Sequence, residues 1–221
     1  MNFFFSTIGR KIQIAFTGFV LSFFLLFHLI NNLVLYFGPE TFNAMVAMLE
    51  SIKPFVRIME FSLLLMIIIH VFHAISLTIN NMKLRKNKYQ TPISSATSSL
   101  NSRTMIVSGS VVMLFLFIHL GYIWRTFQTH SFYHIEETYY DVVLRQDFGY
   151  LNNTPTAILY IVAILMISFH LKHGFQSALK TFGITNTGSK KILYNLSIIF
   201  WGFIPFGFIV IILSIQLGII R

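Results

Sequence analysis

A chain of 221 residues that is 55% hydrophobic and 10% charged is not an ordinary soluble domain, in which about a quarter of the residues carry charge. The net charge of +9 would suit a nucleic-acid binder, but eleven of the 16 basic residues fall in three short segments that alternate with apolar runs. That is a membrane pattern with one basic side and no nucleic-acid partner. The absence of cysteine excludes disulfides, thiolate-held iron–sulfur clusters and C-x-x-C-H haem attachment.

Five uncharged runs each approach or exceed the roughly 20 residues that cross a bilayer. They predict an all-α integral membrane bundle of five transmembrane helices in one domain, 1–221, with helices at about 12–37, 54–82, 104–126, 155–180 and 191–220. Residues 1–11 precede the first helix as a surface segment, with Phe3, Phe4 and Phe5 at the interface. The start mimics a signal peptide, but its apolar run is too long and has no small-residue cleavage site, so it reads as a retained helix. Gly38-Pro39 ends that helix, and helical spacing of Phe42, Met45, Val46, Leu49 and Ile52 predicts a short surface helix over about 41–52. Pro54 suits the first turn of the second helix, and a polar, Ser- and Thr-rich segment at 83–103 separates it from the third. The longest loop, 127–153, holds His130, His134 and Glu136 at metal-ligand spacing, although a solvated loop face is the stronger reading. Thr154 as N-cap and Pro155 open the fourth helix. The fifth carries no histidine or charge along its span, has a kink signal at Pro205, and reads as a packing helix facing lipid.

Arg10 and Lys11, then Lys83, Arg85, Lys86, Lys88 and Arg103, then Lys172, Lys180, Lys190 and Lys191 lie on one side of this arrangement. The positive-inside rule makes that side cytoplasmic, with the N-terminus in and the C-terminus out.

Four of the five helices carry a histidine well inside the apolar run, where an ionisable ring is costly and points to function. At about 1.5 Å per residue, His28 lies about 24 Å and His119 about 22 Å from the basic-side starts of their helices. In the helices that run the other way, His70 lies about 18 Å and His170 about 15 Å from their basic-side ends. Two levels follow, an outer pair His28/His119 and an inner pair His70/His170, each drawn from two helices. Neutral imidazoles at matched depth on facing helices suit bis-histidine coordination of a haem iron, which leaves no open position and passes electrons. His73 and His173, one turn on, are rival inner ligands that rotation does not separate. Ala74 and Gly174, four residues after His70 and His170, give a porphyrin edge room, whereas Leu77 and Ser177 follow the rivals; this favours His70 and His170. The competing reading is a haem-free transporter or anchor whose histidines hydrogen-bond or relay protons. Such transporters use intramembrane carboxylates, and here the acids lie in loops or, for Glu60, near a helix end.

The order His28, His70, His119, His170 over four of five helices resembles the single-chain dihaem cytochrome b subunit of succinate:menaquinone oxidoreductases and fumarate reductases. Local matches are Ser6-x-x-Gly9 with Lys11, Phe27-His28-Leu29 running into Asn31-Asn32, Gly38-x-x-x-Phe42-Asn43, and His170-x-x-His173-Gly174 with Phe182-Gly183-Ile184-Thr185. The resemblance implies two non-covalent haem b groups, a bacterial cytoplasmic membrane, and partner flavoprotein and iron–sulfur subunits that carry out the succinate or fumarate chemistry. It also implies electron exchange with menaquinone at the outer side. Glu50 occupies the place of a functional acid in that family, where a carboxylate exchanges protons with the quinone. The 127–153 loop is longer than the family pattern.

Overall fold

In the computed structural model, residues 3–86, 100–130, 137–184 and 187–221 are described. Among them the protein is all-α, and five helices are long and apolar enough to cross a membrane. The chain is therefore a multi-pass membrane protein.

Helix α1 (Thr7–Leu33) starts earlier than the apolar run because Ser6 caps it, its hydroxyl accepting from the Gly9 N–H at 3.0 Å. Arg10 and Lys11, expected ahead of the helix, thus sit in its first turns. A 3₁₀ turn (Val34–Phe37) leads to Gly38, whose φ of +85° suits glycine, and Pro39 opens the surface helix α2 (Gly38–Ser51). Helix α3 (Lys53–Lys86) crosses back. Helix α4 (Leu100–His119) continues through a π-helical segment (Leu120–Trp124) into α5 (Arg125–Thr129).

Past residues 131–136, which include His134 and Glu136 and lie outside the described residues, the long loop forms a packed cap. Thr138 and Asp141 make a capping box for the short α6 (Tyr139–Val143). Asn43 of α2 accepts from the Tyr140 N–H, and the Tyr140 hydroxyl donates to the Arg221 carbonyl. Arg145 pairs with Glu137, which raises its pKa above the ordinary value, and donates to the Tyr150 hydroxyl at 3.0 Å. This cap lies over the α2 end of the bundle.

Helix α7 (Thr154–Thr181) is capped one residue earlier than expected: Asn153, not Thr154, accepts from the Thr156 N–H. The last span is α8 (Thr187–Ile198), a π-helical segment (Ile199–Phe203) and α9 (Ile204–Gln216). The break has a direct cause. Pro205 has no N–H to give the carbonyl four residues back, and that carbonyl, of Trp201, instead accepts the Ser168 hydroxyl of α7. This span was expected to face lipid, but α9 buries Ile204, Ile211, Ile212 and Ile215 against α7 and α1. At Gly207 a Cβ would fall 2.9 Å from Leu29, so glycine permits that approach.

Helix α1 packs on α3, α4 packs on α7, and α1 and α7 join the two hairpins. The α3 and α4 faces meet little else: 6% of the apolar window is buried in each, against 28% in α7 and 33% in the last span. Between α3 and α4 the bundle holds a cavity of about 2700 Å³ running from the basic end (Lys11, Lys180) to the α2 end (Glu50, Lys53). That exceeds several-fold the roughly 300–1,000 Å³ of a usual small-molecule pocket.

Candidate functional site

The four sequence-predicted histidines line this cavity and meet as two pairs. Near the basic end, the rings of His70 (α3) and His170 (α7) have centroids 6.2 Å apart at 64°. Toward the α2 end, those of His28 (α1) and His119 (α4) are 5.8 Å apart at 80°. The levels can be measured along either hairpin. Thr17 touches His70 and lies eleven residues before His28; Ser108 touches His170 and lies eleven before His119. Both intervals are about 16 Å of helix.

The pair near the basic end is oriented by hydroxyls. Thr17 Oγ1 gives its own hydrogen to a backbone carbonyl of its helix, at 2.7 Å for Gln13, so toward His70 Nδ1 at 3.0 Å it accepts. Ser108 Oγ likewise donates to the Met105 carbonyl and faces His170 Nδ1 at 3.4 Å. A proton on Nδ1 leaves Nε2 as a bare lone pair, the form that binds a metal. Glycine follows both hydroxyl residues, and a Cβ on Gly18 or Gly109 would stand 3.4 Å from Cε1 of the ring opposite.

The other pair is held by aromatic packing. His28 stacks on Phe24 and His119 on Phe115, each four residues earlier, with centroids 5.4 and 5.6 Å apart. Phe208 flanks His28, and the Tyr160 hydroxyl lies 3.4 Å from His119 Nδ1. Asn32 spends its amide on the His28 backbone carbonyl at 2.8 Å, and its 3.5 Å approach to Nδ1 is too long to orient the ring.

His73 and His173 do not join these pairs. His73 is buried between α3 and α1, with Nε2 3.2 Å from Gln13 Oε1, and Nδ1 of both rings has no hydrogen-bond partner. Glu50 lies at the α2–α3 corner, paired with Lys53 at 2.5 Å. Tyr139 of the cap stands over it: burial first, then the Glu50 carboxylate, raises that phenol above its ordinary range. His130 stacks on Tyr139 at 4.2 Å. Among the described residues no group of three or more His, Cys, Asp or Glu is placed to hold a metal ion.

No family model, curated protein or solved structure matches the chain. Its internal likeness is therefore the comparison that informs. Residues 17–28, TGFVLSFFLLFH, repeat at 108–119 as SGSVVMLFLFIH, which keeps the hydroxyl-glycine pair, the stacking phenylalanine and the histidine. Residues 65–75, LMIIIHVFHAI, repeat at 165–175 as LMISFHLKHGF. This signal could have identified Thr17, Gly18, Ser108 and Gly109, which depth arithmetic alone passed over.

The donor set fits a haem iron held axially. Two imidazole nitrogens at about 2 Å on either side of one metal put the ring centroids roughly 6 Å apart. In all four rings, Nε2 has no hydrogen-bond partner among the described residues. The glycines leave space beside the rings that a Cβ would fill.

Proposed function

We propose that this chain is the membrane anchor and electron conduit of a succinate:quinone oxidoreductase or fumarate reductase. His70/His170 would hold an inner haem b and His28/His119 an outer one. The observation that carries this reading is the pairing itself: two crossed imidazole pairs, each shared between hairpins, stacked about 16 Å apart in one cavity.

When bound, the haems supply two one-electron centres in series across the membrane. The chain's own part is to fix the rings. Thr17 and Ser108 hold protons on Nδ1 of the inner pair, aromatic stacking holds the outer pair, and apolar walls keep water away. The basic end, read as cytoplasmic, would receive a partner iron–sulfur subunit, itself fed by a flavoprotein. The α2 end would exchange electrons with menaquinone, with Glu50 moving protons at the outer surface. Both directions of turnover use the same parts.

The test is a reduced-minus-oxidised absorbance spectrum of the full chain purified from a haem-sufficient host. Low-spin b-type bands at two haems per chain are expected; a colourless, folded protein would refute the reading.

A further inference from the structure

Glu60 was set aside as an acid near a helix end, yet it sits two turns inside α3, seven residues past Lys53. It is ten residues, about 15 Å, from His70 toward the α2 end, and the His28/His119 pair is about 16 Å from His70 in the same direction. Glu60 is therefore level with that pair, on α3, which contributes no ring to it. A carboxylate at such depth in a membrane helix marks a functional position by default.

Two of its three partners come from across the cavity, and the third, Arg57, is one turn away on α3. Oε1 accepts from the Trp124 indole N–H at 3.0 Å and the Gln128 amide at 2.9 Å, and Oε2 accepts from Arg57 at 2.7 Å. Trp124 belongs to the π-helical segment that follows His119, and Gln128 to α5. All four side chains line the cavity where α3 and α4 part, between walls of Phe61, Leu64, Ile123 and Phe127. Among the described residues the cavity is lined by two acids, Glu50 and Glu60, and Glu50 lies at the surface corner. An apolar slot open toward lipid, with a few convergent polar groups, suits a flat, lipid-soluble ring bearing carbonyls.

We propose that Glu60, Trp124, Gln128 and Arg57 form the headgroup site for a quinone, with Gln128 donating its second amide hydrogen to a ring carbonyl, Trp124 and Arg57 holding Glu60 in place, and Glu60 exchanging its proton; this rests on the electron-conduit reading above. Reduction takes up two electrons and two protons and turns both carbonyls into hydroxyls. The electrons arrive singly from a b-type donor of the class proposed above. One proton passes through the Glu60 carboxyl, which water at the α2 end replenishes, and the other comes from that water. In the reverse direction a quinol hydroxyl gives its proton to Glu60. Glu50, about 10 Å outward, then serves the path to the surface and is not the group that touches the ring.

The test uses the full chain in lipid nanodiscs, with dimethylnaphthoquinol as reductant and an azido-naphthoquinone as photolabel. Glu60→Gln keeps a carbonyl that Trp124 and Gln128 can still reach but removes the charge and the transferable proton. Haem reduction by the quinol should slow about 100-fold in this variant, with haem content unchanged. Glu60→Asp should recover part of the rate, and the exposed Glu40→Gln should leave it unaltered. The label should fall on residues 57–60 and 124–128. An unchanged rate in Glu60→Gln, or labelling confined to the Lys11/Lys180 end, overturns the proposal. The labelling needs no haem, so a colourless wild-type chain would refute the conduit reading while the label still decides whether this site takes a quinone. Should Glu60→Gln lose its haem, the label on the wild-type chain decides in the same way.

Discussion

Replacing His119 by alanine separates the two levels. The variant removes one ring of the outer pair, whose centroids are 5.8 Å apart, and leaves His28 as the lone imidazole there. The inner pair stands eleven residues of α4 away, about 16 Å, beyond the roughly 7–10 Å over which substitutions usually couple. The rings of His70 and His170, and the hydroxyls behind them, should be undisturbed. One of two low-spin centres should thus disappear: either its haem is lost, or its iron keeps His28 alone and gains an open position that binds carbon monoxide. Haem per chain and a redox titration of the b-type bands report the first outcome, and a carbon monoxide difference spectrum the second. Low-spin signal should fall by half in both cases. Loss of all signal in a folded protein, or none, would refute the pairing of rings across hairpins.

Thr17→Val keeps the volume but removes the acceptor from His70 Nδ1; inner-haem affinity should fall about 10–100-fold, with the outer centre unmoved, in a haem titration of the apo chain. Equal weakening at both levels would count against it. His173→Ala should retain both haems, since its ring joins neither pair, and disappearance of the inner b-type signal would make His173 a ligand. Glu50→Gln should slow quinol oxidation less than Glu60→Gln does, with haem content unchanged; identical rates for Glu50→Gln and wild type would remove Glu50 from the proton path.

Helix number and type were legible in the sequence because long uncharged runs have few ways to exist in water or lipid except as spanning helices. The depth of each histidine was legible too, since rise per residue is fixed. Helix ends were less so. Ser6 and Asn153 each moved a boundary outward, because a capping hydrogen bond and not the apolar edge sets where a helix begins. The burial of α9 was hidden because a helix that is apolar all round carries no stripe to show which face meets protein. Glu60 was undervalued for another reason: the predicted helix at 54–82 already held it among its first turns, but nothing local shows which groups those turns meet inside the bundle. Its partners across the cavity, Trp124 and Gln128, lie 64 and 68 residues away, a distance no local pattern spans.

The repeated segments explain why the rings cross as they do. In each hairpin the first helix carries the hydroxyl, the glycine, the phenylalanine and an outer-level histidine, and the second carries an inner-level histidine. Yet each ring's partner lies in the other hairpin: α1 faces α4 at one level and α3 faces α7 at the other. The hydroxyls divide differently, Thr17 orienting the histidine of its own hairpin and Ser108 doing the same in the second. A single hairpin can therefore set the tautomer of its inner ring but cannot close a two-ring clamp. Closure requires docking of the halves, which here rests on α1 against α7 and α2 against α6, while α3 reaches the α4 side through the hydrogen bonds of Glu60. Under the proposed function, cofactor binding would supply what those contacts lack, because a group held by one ring from each hairpin adds its binding free energy to their association. On that reading the two-fold repeat would make assembly of the bundle and loading of its redox centres one coupled step.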